Sequence, residues 1–299
     1  MTAAQEDEVT KGGSGGSQPA GKDSPHLEEH EQKQAAEAQA IPARVIHEVL
    51  REEGEVELRR PVGALLWSGL AAGLSMGFSF LALALLKKSM AGEPAAEVIA
   101  PFGYGVGFLI AVLGKQQLFT ETTLTATLPL FHQPTLSGFG RLGRMWAVVL
   151  FTNLVGTIIF AWLVSWPGLF GDDVAKELMR TARGAYSESF GIGLLRAMFA
   201  GWLIALIVWL LPASKTAAPF VIAALTYVVA LAGLPHIIAG STEAAYAVFN
   251  RGANWGDYFE SFLAPTLLGN LIGGTALAAL LNHAPVAHDM AARKAEAPS

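Results

Sequence analysis

The sequence predicts an all-α membrane protein with six transmembrane helices, of which spans 2 and 5 are broken. Of its 299 residues, 52% are hydrophobic and only 15% are charged, whereas a soluble domain carries about 25% charged residues. Six apolar stretches reach the roughly 20 residues that a spanning helix needs. Two of these stretches are interrupted, and each is followed by a similar short motif. Paired interruptions of this kind indicate two related halves.

The chain begins with a polar segment that differs from the rest. Residues 1–60 carry 13 of the 25 acidic residues and 7 of the 20 basic ones. We predict that residues 1–40 are a disordered acidic tail, because they contain too little apolar surface to offset the entropy of ordering. Apolar residues recur at helical spacing in 41–60, which predicts an amphipathic cytoplasmic helix, although a solvated linker helix fits equally well. The six-span domain is assigned to 61–283 and a cytoplasmic C-terminal tail to 284–299.

Each predicted span follows from an apolar run of sufficient length. The uninterrupted spans are 62–86, 145–166, 190–211 and 258–281, and the broken ones are 98–130 and 219–250. In a broken span one helix stops, an irregular stretch follows, and a second short helix continues. Irregular backbone at membrane depth occurs only inside protein or beside a water-filled cavity. The breaks therefore predict the position of a functional site.

The two breaks are followed by related motifs. The first break is Gly114–Glu121, and the second runs from Gly233 to Glu243. Asn153-Leu-Val-Gly156 follows the first, and Asn270-Leu-Ile-Gly273 follows the second, 270 − 153 = 117 residues later. We assign the asparagines and glycines of these motifs to helix packing. Small residues at four-residue spacing permit close approach of helices, and span 1 contains a similar series, namely Gly69, Gly73 and Gly77.

Orientation follows from the basic residues near the ends of the spans. With the N-terminus inside, nine Lys and Arg residues face the cytoplasm and six face outward. An excess of basic residues marks the cytoplasmic side. The sequence therefore predicts that both termini are cytoplasmic.

His236 is the strongest candidate for chemistry in the apolar body. It follows Pro235, which removes a backbone donor and interrupts a helix. An imidazole can gain or lose a proton near neutral pH, whereas a merely structural histidine would satisfy the carbonyl groups freed at the break. The 117-residue spacing places Phe119, beside Thr120, at the position equivalent to His236.

The first break offers groups suited to an anion. Thr120 stands at a predicted helix start, where it can cap the helix, bind a substrate, or do both. The same helix end presents partial positive charge, and Lys115 adds a full charge. We interpret Glu121 and Glu243 as counter-ions of Lys115 rather than as a catalytic pair.

Several function classes are not supported by the sequence. The chain has no cysteine, which excludes disulfides and thiolate chemistry. The seven histidines form no metal-binding motif, and His283 and His288 lie near the C-terminus, so we predict no metal site. Gly103-Tyr-Gly105 lacks the preceding residues of a potassium filter. No nucleophile–base arrangement, cofactor motif or nucleic-acid-binding patch is found, so we expect neither an enzyme nor a bound cofactor.

These residues together resemble the formate/nitrite transporter family over residues 62–283. The motifs that carry the resemblance are Gln117-Leu118-Phe119-Thr120, Asn153-Leu-Val-Gly156, His236, and Gly269-Asn270-Leu-Ile-Gly-Gly274. The acidic N-terminus and the sequence around Gln117 are most similar to the YfdC-type branch.

The resemblance implies an aquaporin-like inverted repeat, assembled as a homopentamer in a bacterial inner (plasma) membrane with one pore per protomer. It places Gln117, Leu118, Phe119 and Thr120 along the pore. It also implies a central role for His236 and a narrowing of the outer pore at Tyr104.

Three positions depart from the pattern of that family. Ala185 stands where the family has a vestibule lysine, although Arg183 is near, and Gly201 and Gly240 stand where it has asparagines. Lys115 occupies a position that is usually small. We therefore hypothesise that Lys115 attracts the anion from within the pore.

The leading functional hypothesis is a channel or transporter for small monovalent anions such as formate or nitrite, in which His236 transfers a proton. Its partners would be the anion, protons and the lipid bilayer. A neutral acid crosses apolar constrictions at far lower cost than an anion. Two alternatives remain open at this point: an aquaporin-like pore for water or neutral solutes, and a membrane scaffold that recruits partners through residues 1–40.

Overall fold

The computed structural model describes residues 26–37, 40–186 and 189–296. Its chain divides into two units, residues 1–42 and 43–299. Every regular element within the described ranges is helical. The prediction of an all-α fold is therefore confirmed.

The first unit contains one described helix, α1 (Glu29–Glu37). Lys33 pairs with Glu29 at 3.5 Å, one helical turn away, and Glu, Gln and Ala all favour helices. These nine residues differ from the disorder predicted for 1–40. Residues 1–25 and 38–39 of that segment lie outside the described residues.

The second unit begins with α2 (Ala43–Leu58), which lies within the segment 41–60. Its buried face includes Ile46 and Leu50. The remaining α-helices follow in chain order: α3 (Val62–Ser89), α4 (Ala96–Ile99), α5 (Gly105–Leu113), α6 (Phe119–Thr125), α7 (Leu128–His132), α8 (Leu136–Val164), α9 (Asp172–Arg183), α10 (Phe190–Ser214), α11 (Ala218–Leu231), α12 (Ala239–Phe249), α13 (Trp255–Asp257), α14 (Ala264–Leu271) and α15 (Leu281–Glu296). Short 3₁₀ segments precede α5 and α11, and π-helical segments flank α14.

Five helical stretches in the described part of the chain are long and apolar enough to cross a membrane: Val62–Ser89, Ala96–Leu113, Leu136–Val164, Phe190–Leu231 and Trp255–His288. This count differs from the six predicted spans for two reasons. Predicted span 4 and the first part of span 5 are joined through a 3₁₀ turn into one helical stretch. The second part of span 5 is α12, which has only 11 residues.

The helix before the first break ends in a tight left-handed turn. After Leu113, Lys115 adopts a φ of 52°. The N–H of Gln116 then donates to the carbonyl oxygen of Ala111 at 2.9 Å. This is the six-residue closure of a Schellman motif, in which glycine is the usual left-handed residue. Because Lys115 is not a glycine, its left-handed backbone conformation costs roughly 1–2 kcal/mol.

The helix before the second break ends in the same way. After Leu231, Gly233 has a φ of 58°, and the N–H of Leu234 donates to the carbonyl oxygen of Val229 at 2.9 Å. The left-handed residues are 233 − 115 = 118 positions apart. His236 therefore corresponds to Leu118, so the equivalence with Phe119 predicted from the spacing of the asparagine motifs is wrong by one residue.

Glycines bring the long helices into backbone contact. Helix α3 packs along α8, and α10 packs along α14. A Cβ on Gly73 would clash with the backbone of Asn153, and one on Gly201 would clash with the backbone of Asn270. Gly201, which stands where the resembled family has an asparagine, thus has a steric cause, because an asparagine side chain does not fit at this contact.

Candidate functional site

Asn153 holds the first break by three hydrogen bonds. Its Oδ1 accepts from the N–H of Phe119 at 2.9 Å, and its Nδ2 donates to the carbonyl oxygens of Gly69 at 2.7 Å and Gln117 at 2.9 Å. The side chain is fully buried. Peptide groups freed by a break at membrane depth need such partners. The residue predicted to pack helices therefore also satisfies the broken backbone.

Asn270 makes the equivalent bonds at the second break. Its Oδ1 accepts from the N–H of Ile237 at 2.8 Å, and its Nδ2 donates to the carbonyl oxygens of Ala197 at 2.8 Å and Pro235 at 3.1 Å. The packing predicted for the motif glycines is consistent with their surroundings, since a Cβ on Gly273 would clash with the backbone of the neighbouring helix α10. Both motifs thus combine a small packing residue with an amide that fixes the break.

His236 and Thr120 meet where the two breaks approach each other. Thr120 Oγ1 lies 2.8 Å from His236 Nε2, and both side chains are buried. His236 Nδ1 accepts the N–H of Ala239 at 3.2 Å. Because Nδ1 is an acceptor, we assign the ring proton of the neutral imidazole to Nε2, from which it is donated to Thr120. Phe108 packs edge-on against this imidazole ring, with the two ring centroids 5.0 Å apart.

One pocket reaches His236 of this pair. The α9-side pocket has a volume of about 270 Å³. His236, Tyr104 and Ala185 contribute to its wall. Its lining includes three basic side chains and two acidic ones: Lys87, Arg180, Arg196, Glu97 and Glu243. Positive charge in a concave site raises the local concentration of anions.

Arg196 is positioned by the second break itself. Its guanidinium donates to the carbonyl oxygens of Ala232 at 3.0 Å and Gly233 at 2.9 Å. The sequence identifies Arg196 only as one of several charged residues in apolar surroundings. Its proximity to His236 could not be inferred without knowing that α10 packs against the end of α11.

A second, larger pocket lies at the other end of α3. The α2-side pocket has a volume of about 740 Å³ and includes Lys115, Gln117 and Leu118 in its wall. Arg60, just before α3, lines this pocket, whereas Lys87, near the end of α3, lines the α9-side pocket. The 28 residues of α3 span about 42 Å. The pockets therefore lie at opposite ends of the helix bundle.

The predicted pore residues do not all line the same pocket. Leu118 is buried in the wall of the α2-side pocket, while Tyr104 lines the α9-side pocket beside His236. Phe119 instead packs against Trp146, with ring centroids 6.1 Å apart. The sequence analysis predicted these residues along one pore. The structure places Leu118 and Gln117 in the wall of the α2-side pocket and Tyr104 in the wall of the α9-side pocket, whereas Phe119 lines neither of these two pockets.

The interpretation of Glu243 as a counter-ion of Lys115 is wrong. Glu243 lines the α9-side pocket with Lys87, whereas Lys115 lines the α2-side pocket with Glu121. The error arose because both carboxylates follow a break at similar distances in the sequence. The two breaks face pockets at opposite ends of the helix bundle, so residues at equivalent positions of the two halves lie far apart.

Glu57 is a site residue that the sequence analysis did not identify. It accepts hydrogen bonds from Gln117 Nε2 at 3.2 Å and from Thr125 Oγ1 at 2.9 Å. It thereby ties α2 to the irregular segment through Gln117 and to the last residue of α6 through Thr125. Burial raises the pKa of the Glu57 carboxyl above its ordinary value of 4.5, although these two hydrogen bonds oppose the shift.

We expect Glu57→Gln to reduce the pH dependence of stability. Between pH 4.5 and the raised pKa, the folded protein keeps a proton that the unfolded chain releases, so stability falls as pH rises through this window. Glutamine cannot titrate and retains the shape of the side chain. Thermal unfolding in detergent from acidic to mildly alkaline pH measures the effect. Glu93→Gln provides the control variant, because it removes one carboxylate from an exposed position outside α2, and it should keep the wild-type slope.

The formate/nitrite transporter family model matches residues 44–284. This range covers all but the first residue of α2 and continues to the start of α15. The chain belongs to the formate/nitrite transporter family. It is a membrane protein of a family of transporters and channels, as the sequence analysis predicted.

Individual comparisons agree with this assignment. The inner membrane protein YfdC of Escherichia coli is 42% identical over 260 residues, covering 86% of this chain and 84% of that protein. Two solved structures share the fold at 19% sequence identity. One, an FNT family ion channel, has a TM-score of 0.67 and covers 80% of this chain and 96% of its own. The other, a pentameric formate channel with formate bound, has a TM-score of 0.61 and covers 71% and 92%.

Proposed function

We propose that the chain forms a pore for small monovalent anions of weak acids, such as formate or nitrite. The observation that carries this proposal is the His236–Thr120 pair at 2.8 Å, beside a pocket lined by three basic side chains. Family membership and likeness to a formate channel with formate bound support it. A buried polar pair at the meeting point of two breaks in a membrane protein is typical of a transport site.

The anion would first be concentrated in the α9-side pocket. Arg196 lies beside the second break and adds positive charge close to His236. Together with Lys87 and Arg180, it supplies the attraction that the family's vestibule lysine would provide at Ala185. Beyond this pocket, buried Leu118 and Phe108 form an apolar barrier, and an unprotonated anion crosses such a barrier at a large desolvation cost.

His236 would lower that cost by passing a proton to the anion. The Nε2 proton, which Thr120 accepts in the resting structure, is transferred to an oxygen of the anion while Nδ1 takes up a proton from the solvent side. The ring remains neutral overall and the solute becomes a neutral acid. This step requires Nδ1 to release the N–H of Ala239. Proton transfer is thus coupled to a small movement of the turn before α12.

The membrane arrangement proposed for this pore has six passages. Helices α5 and α6 form broken span 2, and α11 and α12 form broken span 5, in an inverted, aquaporin-like repeat. We propose a homopentamer with one pore per protomer, by analogy with the pentameric formate channel. The bacterial inner membrane is the proposed location, as for YfdC. With both termini cytoplasmic, the α2-side pocket opens inward.

The domain proposal retains the bounds derived from the sequence. Residues 61–283 form the pore, 41–60 the amphipathic helix beside its inner mouth, and 284–299 a cytoplasmic tail. Residues 1–40 are proposed as a tail that transport does not require. Deleting them separates this proposal from a scaffold role, since a scaffold would lose its function and a pore would keep its flux.

Lys115 is proposed to attract the anion at the α2-side pocket, where its side chain is exposed. We expect Lys115→Met to lower anion flux about fivefold, corresponding to about 1 kcal/mol of Coulomb energy in a solvated pocket. Methionine keeps the left-handed backbone strain at this position, so the comparison isolates the charge. Flux measured in proteoliposomes should be restored by Lys115→Arg. Unchanged flux in a normally folded methionine variant would contradict the hypothesis that Lys115 attracts the anion.

A neutral-solute pore is favoured by one specific observation. The α2-side pocket is lined by four carboxylates and two basic groups: Glu52, Glu53, Glu57, Glu121, Arg60 and Lys115. This balance favours neutral species over anions at that end.

A liposome flux panel tests the proposed function directly. Formate, nitrite, lactate, hydrosulfide and water are compared across pH in liposomes with and without the protein. The proposal expects flux of a weak-acid anion that rises as pH falls. Water or neutral-solute flux without anion flux would instead establish the aquaporin-like alternative.

A further inference from the structure

Three histidines from distant parts of the sequence meet beside α2. His47 lies on α2, His132 is the last residue of α7, and His283 lies near the start of α15. The ring centroids are 5.0–5.4 Å apart for all three pairs. His47 Nε2 lies 2.8 Å from His283 Nδ1. The sequence motifs that indicate metal sites cannot detect this cluster, because each histidine comes from a separate segment.

The cluster has the donor atoms of a metal site. One ring nitrogen from each histidine can be chosen so that the three lie within 4.8 Å of one another. A tetrahedral ion with metal–nitrogen bonds of about 2.1 Å places its ligand nitrogens about 3.4 Å apart. Modest side-chain movement therefore closes the site. His132 can supply this movement, since its side chain is exposed at the end of a short helix.

The surroundings of His47 also favour a metal ligand. The residue is 1% exposed, and its Nδ1 is buried without a hydrogen-bond partner among the described residues. A buried polar atom without a partner needs an explanation, and a bound ion provides one.

We propose that His47, His132 and His283 bind a divalent transition metal ion of the zinc class, with the fourth coordination position open to solvent. Three histidines with an open position suit zinc and its borderline neighbours, whereas calcium and magnesium require oxygen ligands. Bound metal would fasten α2 to α7 and α15. Because Leu50 and Glu57 of α2 line the α2-side pocket, the ion would fix one wall of that mouth.

Zinc binding by the full-length protein in detergent tests the proposal, with any purification tag free of histidine. Competition against a chromophoric chelator should give one zinc ion per chain. We expect at least tenfold weaker binding in His47→Ala, His132→Ala and His283→Ala. His288→Ala provides the matched control, because it removes an exposed histidine from the same helix as His283, and it should bind zinc like the wild type.

His132→Ala is the decisive variant, since an exposed side chain can be removed without opening the core. Wild-type affinity in this variant, or no stoichiometric binding by the wild-type protein, would overturn the proposal and leave the three rings as a hydrogen-bonded packing cluster. Cobalt provides a second readout, because a tetrahedral cobalt site has strong visible absorption that the three variants should lose. Neither measurement depends on flux, so failure here is distinct from failure of the transport proposal.

Discussion

Replacing His236 by asparagine is expected to reduce proton-coupled flux about 100-fold or more while leaving the assembled protein intact. Loss of a positioned acid–base group typically costs a factor of 10²–10⁴. The ring makes two hydrogen bonds, to Thr120 and Ala239, and losing one buried bond destabilises by about 1–3 kcal/mol. Proteoliposome flux across pH measures the first effect, and size-exclusion chromatography with thermal unfolding measures the second.

Asparagine and glutamine at this position together separate proton transfer from hydrogen bonding. Asparagine can place its amide oxygen near Nδ1 and keep the bond from Ala239, whereas glutamine can place its amide nitrogen near Nε2 and keep the bond to Thr120. Neither amide titrates. We therefore expect both His236→Asn and His236→Gln to lose the pH dependence of flux. A variant with the wild-type pH profile would rule out the relay, and histidine would then serve only as a donor.

Thr120 can be examined with the same design. Thr120→Ser keeps the hydroxyl that faces His236 Nε2, and Thr120→Val removes it at nearly constant volume. If the hydroxyl positions the ring, the valine variant alone should show reduced flux.

The sequence could predict the helical class, and it could propose a position for the site, because both inferences depend on local patterns. Apolar length indicates spans, and Pro235 and Gly233 mark a break wherever they stand in such a span. The role of Asn153 was harder to predict. Its spacing from the first break is visible in the sequence, but its three hydrogen bonds depend on α3 and α8 lying side by side.

The features that were missed depend on long-range contacts. In the sequence, nothing distinguishes Glu57 from the other acidic residues of its amphipathic helix. Only its contacts with Gln117 and Thr125 identify it as a site residue. The register of the two halves was also misjudged by one residue, because the asparagines are 117 apart while the left-handed turns are 118 apart. One half therefore has an extra residue between its break and its asparagine, which spacing alone cannot locate.

Replacing Asn270 by leucine is expected to destabilise the protein by about 2–5 kcal/mol. The side chain is fully buried. It accepts a hydrogen bond from the N–H of Ile237 and donates to the carbonyl oxygens of Ala197 and Pro235. Leucine has a similar shape and leaves all three groups without their partner, each at a cost of about 1–3 kcal/mol. Hydrogen bonds measured in membrane proteins contribute less on average. The expected loss of stability is therefore smaller than three times the full cost of one unpaired group.

Thermal unfolding in detergent measures this loss, and Asn282→Leu is the matched control. Asn282 donates a single bond, to the carbonyl oxygen of Ala278 one turn earlier in the chain, so its replacement should cost under about 1.5 kcal/mol. We also expect Asn270→Leu to impair flux in the fraction that assembles. His236 immediately precedes Ile237, and without the amide the break no longer fixes the ring against Thr120. Equal stability of Asn270→Leu and the wild type would mean that the broken backbone is satisfied by other groups, and the amide would then have no special role in holding the site.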